Sequence, residues 1–156
     1  MTDLFRLARE GHELSDGLID LVPDINMTNE DGLSLLHMSV AYANRNFAEQ
    51  LIGRGIDINA QDHRGQTPLH YAAIYQSDEL TRLLLENGCR VDITDKHGNT
   101  PLWSAILHSH GNYCIVGLIL ERGGRQVVDL KNNHGRSPVD FAKENGKEEL
   151  ARMLTG

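Results

Sequence analysis

The sequence is poor in cysteine, proline and aromatic residues, and it has no long apolar run. Its two cysteines, Cys89 and Cys114, cannot form the disulfide framework of a small secreted domain and suit a reducing compartment better. The longest apolar stretch, residues 113–120, is broken by Gly117 and falls far short of the ~20 residues of a membrane span. The opening MTDLFRLAREGHELSDG is charged every few residues, so no leader is expected. A cytoplasmic protein without a membrane anchor is the expectation. Basic residues are the minority, Lys+Arg 15 against Asp+Glu 22, for a net charge of −7. That balance argues against a surface that tracks nucleic-acid phosphates and favours attraction to a basic partner. Also missing are a glycine-rich phosphate loop, a G-x-S-x-G elbow and an H-E-x-x-H helix. No enzyme activity and no cofactor are expected.

What is present is a repeat. At 156 residues, 40% hydrophobic and 24% charged, the chain has the length and apolar share of one folded domain. Gly32, Gly65, Gly98 and Gly135 follow one another at 33, 33 and 37 residues, inside matching text: NEDGLSLLH, DHRGQTPLH, DKHGNTPLW and NNHGRSPVD. A fixed period of this size marks a stacked solenoid. Ser34, Thr67, Thr100 and Ser137 are expected N-cap hydroxyls, and proline at the first helical position follows three of them. A second helix in each unit carries apolar residues at helical spacing: Phe47, Leu51 and Ile52; Leu80, Leu83 and Leu84; Ile115, Leu118 and Ile119; Leu150, Met153 and Leu154. Gly55, Gly88 and Gly123 suit left-handed C-caps. A projecting turn then leads to the next unit. One such unit cannot bury its own apolar faces, so stacking is required.

Thr67-Pro68-Leu69-His70-Tyr71-Ala72 matches the T-P-L-H-x-A motif, and with the period over about 24–154 the chain resembles the ankyrin-repeat family. The resemblance implies an all-α solenoid of helix pairs with projecting β-hairpin-like turns. Three full repeats, 26–58, 59–91 and 92–128, are expected between an N-terminal capping unit, 1–25, and a C-terminal capping repeat, 129–156. Leu4, Ala8, Gly11, Leu18 and Ile19 carry the first unit, and Lys143 and Glu144 make the last one polar. The third repeat holds four extra residues, two near 108–112 and two after Gly123. Insertions of this kind map to loops.

The resemblance also implies protein binding on a concave surface made of turn tips and the exposed side of each first helix. The partner-binding candidates are Glu30, Asp31, Leu33 and Tyr42; His63, Arg64, Gln66, Ile74 and Tyr75; and Lys96, His97, Leu107 and His108. Asn133, His134 and Arg136 continue these positions into the last unit. Tyr42, Tyr75 and His108 are expected to form one row, beside Ala41, Ile74 and Leu107. Exposed aromatics next to aliphatics are the material of interface centres. His37 and His70 occupy the motif histidine, which in the family bonds the cap hydroxyl and a neighbouring backbone; Trp103 and Asp140 replace it later. His108, His110 and Cys114 carry ligand types that bind zinc but lack an evident fourth ligand, so no metal site is expected. Asn59 is read as a turn residue that fixes its own loop, within text resembling that modified by Asn hydroxylases in ankyrin proteins.

The lengthened third repeat and the K-N-N-x-G-x-S-P text resemble small stand-alone bacterial ankyrin proteins, some of which are immunity proteins. The function expected is thus stoichiometric inhibition of a toxin, with the acidic charge suiting a basic one such as a nuclease, by a monomer or weak dimer. The alternatives are a general scaffold or kinase-inhibitor-like regulator, and a metal-dependent enzyme centred on the His108 cluster.

Overall fold

A computed structural model describes residues 4–10 and 22–156. The described residues form helix pairs: α1 (Leu4–Glu10), α2 (Leu35–Ala41) with α3 (Arg45–Gly53), α4 (Pro68–Ile74) with α5 (Asp78–Glu86), α6 (Pro101–His108) with α7 (Cys114–Glu121), and α8 (Pro138–Glu144) with α9 (Glu148–Thr155). Gly11, Leu18 and Ile19 lie outside the described residues. First helices stack on first helices, α1 on α2, α4, α6 and α8 in succession, while α3, α5 and α7 form the second layer. The core runs between the layers. Leu36, Leu69 and Leu102 from the first helices are fully buried with Leu51, Leu84 and Ile119 from the second. Small side chains at Ala72, Ala73 and Ala105 are also fully buried, which lets neighbouring helices approach closely.

Three of the four expected caps form. Ser34, Thr67 and Ser137 each accept from the backbone N–H three residues on, and each has a reciprocal bond from the residue at that position. Thr100 departs from the expectation. Its side chain makes no cap bond, and its buried hydroxyl has no partner. Trp103 stands where His37 and His70 place a ring nitrogen against the cap hydroxyl, so the Thr100 hydroxyl lacks that acceptor, and the buried Nε1 of the indole is also unpaired.

The projecting turns are closed by one device. Asn29, Asp62, Asp95 and Asn132 each use a side-chain oxygen to accept backbone N–H groups two and four residues ahead. Such Asx turns spare the tip backbone a β ladder. Among the described residues the one β-type pairing is the isolated bridge Thr28–Ser34. Successive tips are each joined by one backbone bond, His63 N–H to Asp31 O (3.0 Å), Lys96 N–H to Arg64 O (2.9 Å) and Asn133 N–H to His97 O (2.9 Å), and at the last junction the Asn133 side-chain amide also donates to the Lys96 carbonyl at 2.9 Å.

The four extra residues of the third repeat fall where expected. The first pair lengthens α6 by one residue and widens the inter-helix loop, where His110 and Gly111 take positive φ. The second pair becomes a 3₁₀ turn, Gly124–Val127, packed against α7.

Candidate protein-binding surface

The concave side is built by the turn tips and the outward faces of α2, α4, α6 and α8. It holds two recesses. The first, about 380 Å³, is lined by Leu33, Tyr42, Arg64, Gln66, Ile74 and Tyr75 among the expected residues, together with Met38, Ala41 and Tyr71. The second, about 480 Å³, is lined by His97 and Leu107 among the expected residues, together with Asn99, Trp103, Asn132, His134, Arg136 and Phe141. Tyr42, Tyr75 and Leu107 are 50%, 57% and 50% exposed, a high value for large apolar side chains. Eight of the thirteen partner-binding candidates therefore gather in two places, with Ala41, His134 and Arg136 from the expected rows beside them.

Five do not line either recess. Glu30, Asp31, His63 and Lys96 sit exposed at the tips. The His63 ring lies so close over Gly32 that a Cβ there would come within 2.6 Å of it. His108 departs from the row expected with Tyr42 and Tyr75. Because α6 runs one residue further, its half-buried ring turns back and its Nδ1 bonds the Ser104 carbonyl at 2.9 Å. Leu107 is the residue left exposed instead. His108 and Cys114 also bond elsewhere: the Cys114 thiol donates to Asp78 Oδ2 at 2.9 Å, a bond that raises its pKa. Among the described residues no group of three or more His, Cys, Asp or Glu is placed to hold a metal ion.

The walls of the first recess are fixed by the caps beneath them. In His37, Nδ1 accepts the Ser34 N–H at 3.1 Å, so Nε2–H donates to the Gln66 carbonyl at 3.0 Å. His70 repeats this with Thr67 and the Asn99 carbonyl, at 3.0 Å each. Burial lowers the pKa of both imidazoles. Each therefore stays neutral and ties its own cap to the following turn. Tyr71 packs edge-on against His37 with centroids 5.3 Å apart, donates its hydroxyl to Asp62 Oδ2 at 2.9 Å, and faces Tyr75 at 6.2 Å. Burial, aided by the Asp62 carboxylate, pushes the Tyr71 phenol above its ordinary pKa. In the second recess Trp103 meets Phe141 edge-on at 5.4 Å.

Sequence reasoning passed over Met38, Tyr71 and Phe141. All three occupy the variable position of the T-P-L-H-x-A motif, and a bulky apolar residue there in three units was the available signal. Asn59 differs from its expected role as well: its side-chain oxygen accepts the N–H of Arg90, at the far end of the 59–91 repeat, at 2.8 Å, while Asp57 holds the Asn59 N–H.

This stack of capped helix pairs, with matching turns and a recessed inner face, defines a class of binding scaffold. The model of the ankyrin-repeat family, in an arrangement of three copies, matches residues 4–95 and again 36–129, and the chain belongs to that family. No curated protein matches it. It is a protein–protein interaction module of a family that is in general a non-enzymatic binding scaffold. Among the described residues no helix is long and apolar enough to cross a membrane.

Proposed function

We propose that this chain is a stoichiometric inhibitor of the toxin-neutralising, immunity type, and that it acts by seating part of its partner on the concave face. The observation that carries the placement is the exposure of Tyr42, Tyr75 and Leu107 in the walls of two recesses, the first of mixed polarity and the second mainly apolar. Neighbouring side chains shelter such aromatics from water once a partner covers them, and interface energy concentrates there. A net charge of −7 that attracts a basic protein from a distance supports the inhibitory reading.

Tyr75 is the residue to test. It is exposed and central, so Tyr75→Ala should leave stability within about 1 kcal/mol. Partner binding should weaken at least ~10-fold, equivalent to ~1.4 kcal/mol. Unchanged binding with unchanged stability would move the interface off the concave face. The inhibitory role is tested with the product of the neighbouring gene. That protein should be toxic when expressed alone and silenced by an equimolar amount of this chain, and silencing should fail with Tyr75→Ala. A neighbouring product that is harmless alone would remove the immunity reading and leave the binding module.

A further inference from the structure

The chain carries a net charge of −7, yet no carboxylate lines either concave recess. The formal charges in their walls are Arg64 in the first and Arg136 in the second. The exposed carboxylates Glu79, Glu86, Glu148 and Glu149 belong to α5 and α9, in the layer of second helices. The acids of the first tip, Glu30 and Asp31, do not line the first recess. Around the second recess, Lys96 adds a further exposed positive charge beside His97. Arg136 is paired with Glu144 at 3.3 Å, but both side chains are more than half exposed, so the pair is weak and readily exchanged.

An arginine presents a planar fork of donors suited to a carboxylate. Each recess sets such a fork beside an apolar floor: Tyr75 and Ile74 in one, Leu107 and Phe141 in the other. Building on the concave-face reading above, we propose that the partner segment seated here interleaves acidic and bulky apolar side chains. Its apolar groups fill the two recesses and its carboxylates pair with Arg64 and Arg136. The sign of the partner's total charge does not matter to this; the contacting segment is acidic. The first recess lies between α2 and α4 and the second between α6 and α8, two helix-packing steps apart. At ~8–10 Å per step the recesses are roughly 16–20 Å apart. An extended chain at ~3.3 Å per residue spans that with roughly five or six residues.

The test uses two synthetic twelve-residue peptides, one built from Asp-Leu-Glu-Phe units and one, its charge-inverted copy, from Lys-Leu-Lys-Phe units. Trp103 is the only tryptophan in the chain, so its fluorescence reports the second recess alone, and the Tyr75 ring resonances report the first. The acidic peptide should bind at least ~10-fold more tightly than the inverted copy, a difference of ~1.4 kcal/mol. The Arg64→Glu/Arg136→Glu variant, checked by thermal unfolding, should reverse that order. Equal or tighter binding of the inverted copy to the unaltered chain overturns the proposal. So does an unaltered preference in the double variant, or no response to either peptide at millimolar concentration. Tyr75→Ala and Leu107→Ala separate this from the broader reading. If they weaken both peptides alike while charge has no effect, the concave face stands and the acidic segment falls. If they weaken neither, both readings fall.

Discussion

In the first two repeats a buried imidazole fastens each helix cap to the next turn, whereas in the third an indole fills that place and in the last unit a carboxylate does. His37 and His70 each satisfy a backbone N–H on one side and a carbonyl on the other. Trp103 satisfies neither its own N–H nor the Thr100 hydroxyl, and contributes apolar contact with Phe141 instead. Asp140 keeps the reciprocal cap with Ser137 but reaches no following repeat. The N-terminal half is therefore stitched from turn to turn by polar bonds. The C-terminal half relies on ring packing, with the Asn132 amide donating to the Asn99 side chain at 2.9 Å. One family motif thus tolerates two solutions at the same point, because the solenoid needs the space filled and the next turn held, and different groups can do each.

The strongest way to test this division is at the junction of the halves. Leu84 is fully buried between the two neighbouring repeats, so Leu84→Ala should cost ~2–5 kcal/mol through lost transfer energy and the cavity left behind. Thermal unfolding checks it. A negligible loss would mean the halves do not share a core.

Next come the turn tips. Gly98 has φ +75° and a Cβ there would meet Asn133 Oδ1 at 2.8 Å and its backbone nitrogen at 3.0 Å; Gly135, at φ +72°, would meet nothing within 4 Å. Both alanine variants carry the left-handed penalty of ~1–2 kcal/mol. Gly98→Ala should add ~1–3 kcal/mol of overpacking, because backbone has to move. Equal losses at the two sites would show that contact between tips contributes little.

The caps give a smaller effect with a sharper contrast. Thr67→Val removes a hydroxyl that caps α4 and should cost ~1 kcal/mol. Thr100→Val removes a buried hydroxyl with no partner, so it should be neutral or slightly stabilising. A similar cost at both positions would contradict the structural difference between the halves.

Acidification gives the mildest difference. His37 and His70 have pKa values lowered by burial from the ordinary 6.5. Their neutral form contributes stability that is complete above 6.5 and is lost as pH falls from there through the lowered folded-state values. Asp140, lowered from 3.8 by the Ser137 backbone bond, holds its cap into stronger acid. Hydrogen-exchange protection should therefore fall first in α2 and α4 on mild acidification, and later in α8. Loss in the opposite order would break the comparison.

Much of this was legible in the sequence. The period of 33 and the four matching turns fix the stacking, because each unit must bury its apolar faces on neighbours. The location of both insertions could be counted from glycine to glycine. The concave residues were legible only in part. Tip and helix-end positions follow from periodicity, but the orientation of His108 depends on where α6 stops, and one added residue turns the ring away. The unpartnered Thr100 hydroxyl was hidden for a similar reason: it lacks the ring acceptor that an indole cannot supply, while Thr100 itself is an ordinary cap residue. The Asx turns at Asn29, Asp62, Asp95 and Asn132 stood at fixed register all along, three residues before each tip glycine.

The tips are joined by one backbone hydrogen bond per step, while the helices behind them are held by two packed layers. In mechanical terms the molecule is a beam with a stiff back and a compliant inner edge. Small changes in curvature stretch or shorten those links together with the side-chain bonds beside them, His37 to the Gln66 carbonyl and His70 to the Asn99 carbonyl among them, so the inner edge sets the span between the two recesses. A ligand bridging them would act as a tie-rod, setting the radius of the arc and stiffening every repeat between its two anchor points.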